Sequence, residues 1–186
     1  LYVEGGDGTA CGLTTQGELE LIDLEIGAVS GTTACDADWF GPTPGGCVAL
    51  CGGDLTLLRP AGARVMERGI GMASTDDDAV YYARGKQVVR RRSDGPEVAL
   101  FTATEDVSGL AAAGVNVLVL EGTLAHYLTL GASSDAIAGA QTFRIREGGQ
   151  QALALDPERG AIAIGFDDGV DVYAVPGGEL LMRRPM

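Results

Sequence analysis

The residues of this chain whose types permit chemistry are few. They are four cysteines, one histidine, two aspartate clusters, one arginine run and the adjacent aromatics Trp39 and Phe40. Cys11, Cys35, Cys47 and Cys51 all fall within the first 51 residues, and no cysteine follows. If Cys47 and Cys51 lie on one β-strand they share a face about 13 Å apart, which is beyond the reach of a disulfide. Each then needs a partner on a neighbouring strand, and Cys11 and Cys35 are available for this. An even, clustered set of cysteines reads as one or two disulfides formed in an oxidising compartment, periplasmic or secreted. The competing reading is buried free thiols packed as small hydrophobes in a cytosolic protein. A zinc site is not expected, because there is no Cys-x-x-Cys and the only histidine, His126, lies far along the chain from Cys51.

His126 sits in TLAHYLTL, facing away from Leu124 and Leu128 on a regular strand. A lone histidine can serve as a general base. No serine, cysteine or acid is placed by sequence to partner it, so an ordinary strand histidine is expected and no catalytic residue is assigned. Asp76–Asp77–Asp78 and Asp167–Asp168 lack the spaced D-x-[DN]-x-[DN]-G pattern of a calcium loop and read as turn residues. No metal or cofactor is expected. Arg90, Arg91 and Arg92, with Arg84 and Lys86 nearby, form the only basic cluster. It either docks an acidic partner or guards an outer strand against edge pairing. Trp39 and Phe40 lie in CDADWFGPTPGG, whose Gly, Pro and Thr mark a loop between strands. Flanked by Asp36 and Asp38, the two aromatics offer a partner-binding surface, unless Trp39 turns into the core.

These groups must be positioned by strands. The chain has 186 residues, 46% of them hydrophobic but only 5% aromatic, and 29 are glycine. Glycine at that density without a collagen period means many turns and many short strands. A repeat gives them order. Gly17, Gly53, Gly85, Gly122 and Gly169 recur at spacings of 36, 32, 37 and 47, and each is followed nine or ten residues later by Gly27, Gly62, Gly95, Gly131 or Gly178. Between the paired glycines the residues alternate, as in ELELIDLE and VDVYAV, which implies one buried and one wetter face. KQVVRRR breaks this rule, since Val88 and Val89 fall on opposite faces. Further apolar runs precede and follow each pair. Four short strands per unit predict an all-β propeller of about five four-stranded antiparallel blades, at 1–31, 32–68, 69–104, 105–147 and 148–186.

QALALDPERGAIAIGFDDGVDVYAVPGGELL (Gln151 to Leu181) resembles a WD40 repeat in layout. GDGTACGLTTQGELELIDLEIGAV (Gly6 to Val29) looks like a second copy, with Ile22–Asp23 where the family has its Trp-Asp pair. The Gly-His dipeptide is missing throughout, and the middle units look more like the loose propeller repeats of bacterial proteins. The resemblance implies an interaction or scaffold module that binds a protein partner through its loops and top face, and not an enzyme. The alternatives are a lyase or hydrolase that uses a central pocket, or a disulfide-stapled secreted module.

A formal charge of −13 disfavours nucleic acid and anionic membranes as partners. No apolar stretch is long enough to insert into a bilayer. The preference for Arg over Lys, with much Ala and Gly, is the composition of a high-GC bacterial genome. No spare strand is visible to lock first and last blades together. A larger ring is therefore expected, completed by further blades of the same protein or by a second chain.

Overall fold

The computed structural model describes residues 2–4, 8–76, 78–92, 95–131 and 136–186, with 2–4 and 151 through their backbone alone. Leu1, Gly6 and Asp77 thus lie outside the described residues. Each unit of the repeat folds into a four-stranded antiparallel sheet whose strands pair in sequence order. Blade 1 holds β1 (Tyr2–Glu4), β2 (Thr9–Leu13), β3 (Glu18–Asp23) and β4 (Ala28–Ala34). Blade 2 holds β5 (Ala37–Thr43), β6 (Gly46–Cys51), β7 (Asp54–Arg59) and β8 (Gly62–Arg68). Blade 3 holds β9 (Met72–Thr75), β10 (Ala79–Arg84), β11 (Gln87–Arg92) and β12 (Glu97–Thr102). Blade 4 holds β13 (Gly109–Ala113), β14 (Asn116–Glu121), β15 (Leu124–Leu130) and β16 (Ile137–Arg144). Blade 5 holds β17 (Gln150–Asp156), β18 (Ala161–Phe166), β19 (Gly169–Ala174) and β20 (Leu180–Pro185). No helix occurs among the described residues. The boundary expected after residue 31 falls inside β4; the others fall between strands.

The leading glycine of each pair sits in the turn between second and third strands in blades 1 to 4, and Gly169 opens the third strand of blade 5. Gly17 and Gly53, at φ of +75° and +84°, take a conformation that side chains with a Cβ resist. The first strands of successive blades pack side by side, β5 on β9, β9 on β13 and β13 on β17. The apolar core lies between blades, in four clusters. One joins blades 1 and 2 through Cys11, Leu19, Leu21, Cys47, Ala49 and Leu58. The second joins blades 2 and 3 through Leu55, Leu57, Val80 and Tyr82, and the third joins blades 3 and 4 through Tyr81, Val88, Val119 and Leu128. The fourth, between blades 4 and 5, contains Tyr127, Ile162, Ile164, Phe166 and Tyr173.

This stacking explains Val88 and Val89. An inner blade has a neighbour on each side, so both its faces are buried and strict alternation is not required. Val88 packs toward blade 4 and Val89 toward blade 2. The end blade differs: in β18 and β19 buried and half-buried residues alternate, and all of β20 is exposed.

Candidate functional site

The aromatic pair expected in a loop belongs to a strand. Trp39 and Phe40 lie on β5, opposite Leu50 and Ala49 of β6. The sequence signals misled because β5 carries Gly41 and Pro42, and a proline is tolerated on the innermost strand at a position needing no ladder donor. Adjacent strand residues point to opposite faces. Phe40 packs into the core between blades 1 and 2, and half-buried Trp39 packs against the core between blades 2 and 3. Gly41 makes room for Trp39: a Cβ there would stand 3.0 Å from the indole and 2.6 Å from Thr75 Oγ1.

The innermost strands enclose a cavity of about 600 Å³, and Trp39 lines it with Leu50, Ile70, Leu110 and Leu153. Its polar lining is Asp38, Ser74, Ser108 and Gln150. Ser108 Oγ donates to Gln150 Oε1 at 2.7 Å, and Gln150 Nε2 donates to the Gly122 carbonyl, so these two are held by neighbours. Asp38 also borders a second, open cleft with Asp36, Gln16, Cys35 and Cys51. Asp36 and Asp38 are both exposed. Acid and indole thus meet where cleft and cavity adjoin.

The four cysteines form two disulfides. Cys11 on β2 joins Cys47 on β6, with Cα atoms 5.6 Å apart. Cys35, just beyond β4, joins Cys51 at the end of β6, with Cα atoms 5.3 Å apart. Both tie β6 of blade 2 to what precedes it. They are compatible with an oxidising, extracytoplasmic environment.

The arginine run does not lie on an outer strand. β11 is hydrogen-bonded to β10 on one side and β12 on the other, so protection of a sheet edge cannot be its purpose. Its residues divide between the faces. Arg90 is buried, with its guanidinium carbon 5.6 Å from the Tyr81 ring centroid. Burial and the neighbouring Asp76 push the Tyr81 phenol well above its usual range, and its hydroxyl donates to Asp76 Oδ2. Arg91 pairs with Glu97 at 3.5 Å. Arg92 is exposed beside a 260 Å³ cavity that Asp76 and Asp78 also line. Asp76 itself caps a turn, accepting from the Asp78 and Ala79 amides.

Two polar networks escaped the sequence reading. His126, expected to lack an acidic partner, has one: its Nε2 lies 2.6 Å from Glu121 Oε1, and its Nδ1 lies 2.9 Å from Thr142 Oγ1. Glu121 also accepts the backbone amides of Thr104 and Glu105, in the connection from blade 3. Burial raises the Glu121 carboxyl, but these hydrogen bonds together outweigh it and leave the group below its ordinary value. The Phe101 ring lies 4.8 Å from the imidazole. A signal was present: Glu121 pairs with Leu124 across the β14–β15 turn, which puts His126 on its diagonal.

In blade 5, Asp171 is fully buried and accepts Arg183 Nε at 2.9 Å, Arg183 Nη2 at 2.8 Å and the Tyr173 hydroxyl at 3.2 Å. Arg146 stacks 3.8 Å over Phe166, approaches Asp171 at 3.1 Å and forks onto Asp168. The hydrogen bonds from Arg183 lead in holding the Asp171 carboxyl low against its burial.

No protein-family model and no curated protein matches the sequence. Solved structures do match. Kluyveromyces lactis Hsv2, a known β-propeller, superposes on 99% of this chain with a TM-score of 0.67 at 9% identity. The fold is a β-propeller. A second propeller, the dihydro-heme d1 dehydrogenase NirN in complex with DHE, matches over 99% of this chain with a TM-score of 0.68 at 11% identity. The chain spans 62% of the Hsv2 length and 45% of the NirN length.

Proposed function

We propose that this propeller is a non-catalytic, WD40-like interaction module that works outside the cytoplasm and binds a protein partner through the loops around its central cavity. The observation that carries the reading is the position of Asp38 and Trp39, which border the central cavity, with Asp38 and exposed Asp36 continuing into the adjoining cleft. An indole beside carboxylates suits a basic segment that also presents apolar groups. The net charge of −13 would draw such a segment in.

Two further features support binding over catalysis. A central-pocket enzyme needs polar groups converging on the cavity. Ser108 and Gln150 there bond to each other, and the histidine that would serve as base is engaged at both ring nitrogens beneath Phe101. Trp39 is the only tryptophan, so its fluorescence reports this site alone. Titration with oligolysine should shift its emission, and added salt should weaken the effect. Asp36→Asn with Asp38→Asn should abolish the shift and Arg92→Ala should keep it. An unchanged response in the double aspartate variant would refute the site.

A further inference from the structure

The two disulfides that tie β6 to what precedes it stand in different surroundings. Cys11 and Cys47 are fully buried among Leu19, Leu21, Ala49 and Leu58. Cys51 is half-buried, and together with Cys35 it lines the open cleft of about 770 Å³ that Asp36 and Asp38 border. Exchange between a disulfide and a thiol requires a thiolate to reach one of the sulfurs, so access decides which bond opens first. The core bond offers no approach, and the cleft bond does. The described residues lining the cleft include two carboxylates and no basic side chain. A thiol that carries negative charge is repelled there, and a neutral or cationic one is admitted.

The cleft bond also sits where the acids are positioned. Cys35 and Asp36 form the connection from β4 to β5, outside both strands. The Cys35 amide donates to the Gly17 carbonyl at 2.8 Å, and its sulfur is bonded to Cys51. Cys51 in turn stands opposite Ala37, the first residue of β5, and the register then steps over Asp38 to Trp39. Asp36 thus lies between two residues anchored to Cys51, and exposed Asp38 follows at the irregular start of the strand. Opening the bond leaves Cys35 held through its amide, while Cys11–Cys47 and the leucines around it keep blades 1 and 2 joined.

We propose that Cys35–Cys51 is a thiol-exchange site for a neutral or cationic dithiol, and that its reduction loosens the acids to which a basic segment binds. The second half rests on the binding function proposed above; the first half does not. The attacking thiolate bonds to Cys51 Sγ, the more accessible of the pair, the S–S bond breaks, and Cys35 leaves with the electron pair and takes a proton. The reductant's second thiol, deprotonated, then attacks the mixed disulfide and displaces Cys51, which is protonated in turn. The protein gains two electrons and two protons, and the dithiol ends as a disulfide.

Timed reduction with dithiothreitol, quenched by iodoacetamide and read by peptide mass, tests the site. Cys35 and Cys51 should be alkylated while Cys11 and Cys47 remain joined. Each monothiol's rate is then divided by its rate on a small neutral disulfide. At low salt, cationic cysteamine should open the bond about tenfold faster than anionic mercaptoethanesulfonate, and Asp36→Asn with Asp38→Asn should narrow that gap. Simultaneous opening of both disulfides, or equal corrected rates for the two thiols, would overturn the proposal. The chain alkylated at Cys35 and Cys51 alone should bind oligolysine several-fold more weakly than the oxidised chain. Cys35→Ser with Cys51→Ser, which adds no bulk, should do the same, and undiminished binding in both would overturn the loosening. If the oxidised chain does not bind oligolysine, the loosening falls with the binding function, and the reduction kinetics decide the exchange site by themselves.

Discussion

The interface between blades 1 and 2 and the interface between blades 4 and 5 hold equivalent sheets together by different means. The first sets Leu19, Leu21 and Leu58 among the smaller Cys11, Cys47 and Ala49, has no fully buried aromatic, and is crossed by two disulfides. The second has no cysteine. Phe166, Tyr127, Tyr173, Ile162 and Ile164 fill it, and the buried Asp171 network seals its outer side. Where the sheets bury aliphatic rather than aromatic side chains, covalent links add stability by limiting the unfolded chain. Where they bury aromatic bulk, burial itself suffices. The two ends of one fold should therefore answer to different perturbations.

The largest effect should come from the covalent side. Cys11→Ala with Cys47→Ala opens a link between residues 36 apart and should cost about 4 kcal/mol on the chain-entropy relation. Deuterium uptake should rise across residues 9–34 and stay unchanged across 150–185. Equal loosening at both ends would mean that the two interfaces do not differ in this way. Next comes Phe166→Ala, which leaves a void beneath Arg146 and should cost about 3 kcal/mol, with the increased uptake now confined to blades 4 and 5.

Asp171→Asn should follow at about 2 kcal/mol in thermal or urea melts, because Arg146 and Arg183 then face each other without a full counter-charge. Arg183 is half exposed and can swing into water, which keeps the loss below that of a sealed pair.

The smallest effect should appear on acidification. Asp171 and Glu121 are both held below their unfolded carboxylate values. Each therefore contributes stability that is present above pH ~4 and lost as the pH falls through its lowered folded value. Melting temperature should decline below about pH 4, and Glu121→Gln should flatten part of that decline. An identical acid profile in Glu121→Gln would show that the carboxylate contributes nothing to stability.

The fold was legible because its turns are. The leading glycines mark one turn in every blade, and positions such as Gly53 require the backbone freedom that only glycine supplies. Alternation was a sound guide in β18 and β19, where one face is uncovered, and a poor one at Val88 and Val89, between two neighbours. The polar clusters were harder to see. The Asp171–Arg183 pair depends on the β19–β20 register, which the intervening loop conceals from a linear reading. Glu121 and His126 lie close enough in sequence to have been paired, had the turn at Gly122 been used to fold one strand back on the other. Trp39 was misplaced because glycine and proline indicate turns in most settings, and here Gly41 and Pro42 lie within strand β5.

The disulfides also have a consequence for an injured molecule. Their spans interleave in the order 11, 35, 47, 51, with the first cysteine bonded to the third and the second to the fourth. A protease that cuts once anywhere between Cys11 and Cys51 always leaves at least one bond spanning the cut. The nicked protein should migrate as one species without reductant and separate into two fragments only when reduced. That braid keeps blade 1 attached after its backbone has been broken.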